Sequence, residues 1–345
     1  MAGRLNHPNT NPWKYFAHNR FSPNGAMTRK FAPDAPHFTC QKPGFLLQWD
    51  SLRRFMKISN ELIGLNRRRF FQRGLIASTI LATATLPRRL PAAVTKTPGE
   101  PDHGLKLGLT TYTLKDFRLE QAIEMTKAAG VKYISLKDVH LPLKSTPEER
   151  KAAHQKIETA GLTLMGGGVI YMKNDETEIR SVFDYARDAG MPTIICSPDP
   201  EALDNVEKMA KTYDIRIAIH NHGPGDKKYP SPLDVLKLVK DRDARMGLCM
   251  DVGHTVRINQ DPIPIIEECA SRLYDFHIKD ETEATSKGKA TEVGRGIIDI
   301  VAVLKALLKI KYAGHLALEY EAKPEAPFPG MCESFGYIRG VLATV

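Results

Sequence analysis

From about Leu105 onward, short apolar runs alternate with longer stretches whose apolar residues recur at helical spacing. The runs centre near residues 107, 133, 164, 194, 217, 248, 276 and 317, and their apolar blocks read as buried strands. Between them lie amphipathic stretches at 119–129, 147–160, 176–189, 201–213, 232–240, 262–270 and 298–310, the pattern of helices with one buried face. Local punctuation agrees. Thr146-Pro147-Glu148-Glu149 supplies an N-cap, a proline at the first helical position and acidic first-turn residues. Gly130, Gly161 and Gly190 fall where a helix-terminating glycine is expected. Eight strand–helix units in about 240 residues is the arithmetic of a (β/α)8 TIM barrel, an α/β fold, over 105–345. A Gly-x-Gly signature after the first strand is missing, which argues against a dinucleotide-binding sheet.

The first hundred residues follow another pattern. Residues 1–55 are rich in Pro, Asn and Arg without periodicity, and read as unstructured or as lying upstream of a true start at Met56. Asn66-Arg67-Arg68-Arg69-Phe70-Phe71-Gln72 then precedes an apolar run from Gly74 to Leu86. This resembles a twin-arginine export signal over 56–94, with Leu90-Pro91-Ala92-Ala93 offering small residues for cleavage. The run is shorter than the roughly 20 residues of a membrane span, so no stable span is expected after processing. The alternative is a short buried helix after a basic loop. The signal implies the export machinery as a partner and a periplasmic location.

Charge divides the same way. Residues 1–94 hold 15 Lys and Arg against 3 Asp and Glu, so the net charge of +9 is carried by this segment and the body is slightly acidic. The body has no basic stripe with interleaved aromatics, and nucleic-acid binding is not expected. The five cysteines form no C-x-x-C pair; Cys196 and Cys249 sit within apolar runs and read as small buried hydrophobes. The oligomeric state is left open.

Four apolar runs end in residues that strands rarely bury without a partner. Residues 215–219 lead into His220-Asn221-His222, 246–250 into Asp251-Val252-Gly253-His254, 273–276 into His277-Ile278-Lys279-Asp280, and 315–318 into Glu319-Tyr320-Glu321. In a barrel all strand C-termini open on one face, so these tips converge on one site. The rival reading of Asp251 is a cap for the loop that follows it, and that of His277 is a satisfied core histidine. Other tips are less specific. Lys137 and His140 line the mouth or lie in a solvated loop. Gly166-Gly167-Gly168 reads as a flexible turn before a close backbone approach, and Tyr112 and Tyr171 as sugar-stacking or rim residues.

Asp251-x-x-His254, His277-x-Lys279-Asp280, Glu319 and the loop Gly294-Arg295-Gly296 together make residues 105–345 resemble the xylose isomerase-like barrel family of sugar phosphate isomerases and epimerases. The resemblance implies metal ligands after strands 5 to 8. By motif these are Asp251, His277 and Glu319, with His220 where the family commonly carries Glu. Two imidazoles and two carboxylates suit Mn, Co, Zn or Fe better than Mg. The implied substrate is a small sugar or keto-sugar, and the implied chemistry is removal of a proton beside a metal-polarised carbonyl, through an enediolate. Glu319 is then ligand and base, His254 and His222 bind substrate oxygens or relay protons, and Lys279 and Arg295 neutralise charge.

Three functions follow. The first is a divalent-metal-dependent isomerase or epimerase. The second arises because His220 removes one of the paired carboxylates that epimerases use, which makes β-elimination by a dehydratase or lyase on a keto-sugar or inosose its rival. The third is an exported, non-catalytic sugar-binding barrel.

Overall fold

The computed structural model describes residues 102–345; the expected start at Met56, the segment 1–55 and the export signal at 56–94 lie outside them. Eight parallel strands form the barrel: β1 (Lys106–Thr110), β2 (Tyr133–Leu136), β3 (Thr163–Met172), β4 (Thr193–Pro198), β5 (Arg216–His220), β6 (Met246–Asp251), β7 (Leu273–Ile278) and β8 (His315–Leu318). Strands adjacent in sequence pair with each other, and β8 pairs with β1 in register Lys106–His315 to close the ring. The expected (β/α)8 barrel is therefore the observed fold.

The helices are α1 (Leu119–Ala128), α2 (Pro147–Thr159), α3 (Glu176–Asp188), α4 (Leu203–Tyr213), α5 (Pro232–Val239), α6 (Val252–Arg257), α7 (Pro262–Cys269), α8 (Ile300–Lys309) and α9 (Pro327–Leu342). Their ends are set where local chemistry supplies partners for free backbone groups. At α2, Thr146 accepts from the Glu149 amide while Glu149 accepts from the Thr146 amide, a reciprocal cap. Gly130, Gly161 and Gly190 have φ of 77°, 79° and 68°, the left-handed geometry that ends α1, α2 and α3.

Along the last four strands the two faces divide by alternation. Ile217 and Ile219, Leu248 and Met250, Phe276 and Ile278, and Leu316 and Leu318 join the main apolar core. The intervening positions share the face of the strand tips: Ala218 and His220, Cys249 and Asp251, Asp275 and His277, His315 and Ala317. All eight are buried. The strands thus carry an apolar stripe against the helices and a polar column inside the barrel.

Two local expectations are corrected. Gly166-Gly167-Gly168 does not form a turn but lies inside β3. A Cβ at Gly166 would come within 2.5 Å of the Thr193 carbonyl oxygen, and one at Gly168 within 2.0 Å of that of Ile195, so these glycines let β3 approach β4. His140 does not reach the mouth: it is buried and its Nε2 meets the Leu114 carbonyl at 3.1 Å.

Candidate active site

The C-terminal ends of β5, β6, β7 and β8 bring His220, Asp251, His277 and Glu319 together, with one potential ligand atom from each lying within 4.8 Å of the others. His220 Nε2 is 3.1 Å from His277 Nδ1 and 3.6 Å from Asp251 Oδ2. His277 Nδ1 is 3.9 Å from Asp251 Oδ2 and 3.5 Å from Glu319 Oε2. All four side chains are buried.

Neighbouring residues aim this set. Asp251 Oδ1 accepts from the His254 amide and so caps α6, while Oδ2 is left facing the cluster. Capping and clustering thus fall to the two oxygens of one carboxylate. Asn221 Oδ1 accepts from the Asp251 amide, and its Nδ2 donates to the Asp251 carbonyl and to Thr255 Oγ1. The middle residue of His220-Asn221-His222 therefore ties the tip of β5 to the tip of β6.

Lys279 is the charge that sequence alone does not place. It is 2% exposed, and its ammonium stands 2.6 Å from Glu319 Oε2, 3.0 Å from Asp251 Oδ2 and 3.7 Å from Glu321 Oε1. Burial pushes Asp251 and Glu319 up, but Lys279 outweighs it and holds both well below the usual carboxylate range. Burial likewise pushes His277 down, yet Glu319, Asp275 and Asp251 raise it to about 9. His220, where burial dominates, is pushed down to about 3. The cluster thus holds one imidazolium and one ammonium against its carboxylates.

The donor set fits a divalent transition metal. Two imidazole nitrogens facing each other at 3.1 Å share at most one hydrogen between them. Asp251 Oδ2, fully buried, accepts no well-directed hydrogen bond even though Lys279 lies close. Two imidazoles with two carboxylates is also the donor chemistry such ions prefer.

The cluster opens into a cavity lined by His220 and Glu319 together with Tyr112, Lys137, Gly168, Val169, Tyr171, His222, His254 and Glu321. His222 stands beside the four donors. Its Nδ1 is 3.1 Å from Asp226 Oδ2 and its Nε2 is 3.4 Å from the Tyr171 hydroxyl. His254 is held neutral, its imidazole pushed down to about 4 by burial. Glu321, 38% exposed at the cavity, is shifted the other way, above its ordinary value, by partial desolvation and the nearby Glu319 and Asp251 carboxylates.

Arg295 is placed elsewhere: its guanidinium is 61% exposed and pairs with Glu333, away from the cavity-lining residues. Its neighbours explain the motif. Asp280 Oδ2 accepts from the amides of Gly294 and Gly296, and Oδ1 from those of Glu281 and Ile298. A Cβ on Gly296 would stand 2.1 Å from Asp280 Oδ1. The Gly-x-Gly loop and the Asp of His277-x-Lys279-Asp280 are two halves of one clamp. Glu321 was visible only as a second Glu two residues past a strand tip. Asp275 and His315, inside the barrel beneath the cluster, carried no signal beyond being polar residues in apolar runs.

A family model described as a xylose isomerase-like TIM barrel matches residues 123–339. Among curated proteins, inosose dehydratase of Clostridium botulinum (strain Eklund 17B / Type B) is 28% identical over 142 residues, covering 37% of this chain and 47% of that protein. The chain thus spans about half the length of this relative. Among solved structures, an uncharacterised protein of Parabacteroides distasonis ATCC 8503 aligns with a TM-score of 0.55 at 23% identity, covering 68% of this chain and 98% of that one. The 3-keto-D-glucoside 4-epimerase of E. coli aligns with a TM-score of 0.56 at 14% identity, covering 68% and 99%. These likenesses are of fold.

Proposed function

Because the chain belongs to the xylose isomerase-like TIM barrel family, we propose that it is a sugar-modifying enzyme that removes the proton beside the carbonyl of a keto-sugar or keto-polyol and expels a β-hydroxyl. The observation that carries this is the composition of one cavity: a buried four-donor cluster opens onto an imidazole and a carboxyl group that are not part of it. His220, Asp251, His277 and Glu319 would hold a divalent transition metal, which when bound supplies Lewis-acid polarisation of the carbonyl. His254 is the base, since burial keeps its ring neutral with a lone pair to take the proton. Glu321, which lines the same cavity, is the acid placed to donate to the departing hydroxyl; partial desolvation and the neighbouring Glu319 and Asp251 carboxylates raise its carboxyl above its ordinary value. His222, fixed by Asp226, and the Tyr171 hydroxyl bind substrate oxygens. Glu319 acts as a ligand rather than a base, because Lys279 holds its carboxylate well below the usual range.

The relationship to inosose dehydratases supports elimination. So does the imidazole at the tip of β5, which leaves no carboxylate there for a two-base exchange. Isomerisation or epimerisation is the second reading, favoured by a second imidazole, His222, in the same cavity as His254, which would give two bases for one carbon. Incubation with keto-sugars and inososes in heavy water, with and without chelator, tests both. An unsaturated product formed only with metal is expected. Deuterated epimers without dehydration would replace elimination by the second reading, and a protein that binds sugar without turnover or metal would sink both.

The chain is further proposed to reach the periplasm by twin-arginine export, on the support of Arg67-Arg68 and the apolar run after it. Replacing Arg67 and Arg68 by Lys should retain the protein in the cytoplasm. Unchanged export, or a mature N-terminus before residue 80, would refute this.

A further inference from the structure

Beneath the four donors, inside the barrel, lies a carboxylate with no role in ligation or proton transfer. Asp275, on β7 two residues before His277, is 1% exposed. Its Oδ1 is 3.5 Å from His277 Nε2 and accepts from Cys249 Sγ at 3.5 Å. Its Oδ2 is 3.5 Å from His315 Nδ1. An isolated buried carboxylate is among the costliest groups a core can hold, and an apolar residue on this lumen position would avoid that cost. His315 needs accommodation as well, since a Cβ at Gly108 would stand 2.5 Å from its Nε2. Polar groups from β7 and β8 and a glycine from β1 thus converge on one line, His277–Asp275–His315.

The geometry points to Asp275 as a positioning residue that fixes which nitrogen of His277 faces the cluster. Nδ1 is the nitrogen toward His220, Asp251 and Glu319. Nε2 has Asp275 as its ion-pair partner and makes no hydrogen bond. A carboxylate at Nε2 keeps the hydrogen on that atom, leaves the Nδ1 lone pair free for a cation, and makes the ring a stronger donor. The 3.5 Å separation is long for a hydrogen bond, so the effect is electrostatic and directional. His315 Nδ1 lies 3.5 Å from the other oxygen, so its ring borders the carboxylate on the side away from His277. This inference rests on the metal reading of the cluster but not on the reaction assigned to it.

Cobalt(II) is the probe. Titrated into metal-free wild-type protein, it should bind and give a visible d–d spectrum. Asp275→Asn removes the charge with little change in volume; it should weaken cobalt binding by roughly 10- to 100-fold and shift the spectrum, while a His315→Gln variant shows a smaller loss. Should Asp275→Asn fail to fold, ring 15N chemical shifts of His277 in zinc-loaded wild-type protein give the same answer, with hydrogen on Nε2 and metal on Nδ1. A folded Asp275→Asn protein with wild-type affinity and spectrum, or ligation through Nε2, overturns the inference alone. A wild-type protein that binds neither metal overturns the metal reading and this inference together.

Discussion

Lys279 decides how the site's charge balances. Its ammonium and a bound divalent ion compete for the same oxygens of Asp251 and Glu319. Lys279→Met should therefore raise cobalt or zinc affinity by about tenfold or more, the ratio that roughly 1.4 kcal/mol of lost competition gives. The same change leaves two carboxylates without their buried partner. It should lower the stability of the metal-free protein by about 3–5 kcal/mol, a loss that added metal restores. Titration calorimetry and urea melts with and without metal read both effects; an unchanged affinity would mean that Lys279 lies outside the ion's reach. At this scale the sequence shows residue types but not their distances. Lys279 and Arg295 look equivalent as basic residues after β7, yet one is buried between carboxylates and the other is exposed against Glu333. No rule of spacing separates them, because the difference comes from how the loop folds back.

That loop is organised by one side chain. Asp280 accepts four backbone amides, from Glu281, Gly294, Gly296 and Ile298, and so determines where the segment between β7 and α8 lies beside Lys279. Asp280→Ala should cost about 3 kcal/mol or more, since hydrogen bonds to a charged acceptor are worth about 1.5–3 kcal/mol each and are not fully additive. Gly296→Ala should destabilise the same loop through its clash with Asp280. The urea midpoint measures both, and an unaltered midpoint in either would show that the clamp is dispensable. Elements with local punctuation were legible to within a residue or two: the sequence places a helix at 147–160, and the structure has Pro147–Thr159. Two helices escaped. The six-residue α6 is too short for a period to show. The sixteen-residue α9 carries two prolines and three glycines, which argue for a loop; burial of Met331, Phe335, Ile338 and Leu342 along one face holds it as a helix. In β3 the glycine run reads as a turn by composition, and only the approach of β4 makes it a strand.

For the whole molecule the buried histidines set the response to pH. His277 is raised to about 9 in the metal-free fold, above its ordinary value near 6.5. Its contribution is fully present below about 6.5 and is lost as pH rises through about 9. His220 and His254 are pushed down to about 3 and about 4. Their contribution is present above about 6.5 and is lost as pH falls toward those values. The metal-free protein should therefore be most stable near pH 6.5 and weaken on both sides. Bound metal, which requires neutral His277, should remove the alkaline limb. Thermal melts from pH 4 to 10 with chelator or with cobalt measure this, and a flat profile between 6.5 and 9 would contradict the charged His277. The amino-acid pattern by itself determined the barrel, because strand and helix periods and their caps are local and repeat eight times. It also determined that Asp251, His277, Glu319 and His220 meet, because a parallel barrel sends every strand end to one face. Only the tertiary structure decided which charges share that face. Lys279 between the carboxylates, Asp275 and His315 beneath them, and Arg295 outside are settled by side-chain direction and loop closure, where energy depends on ångström distances between residues remote in sequence.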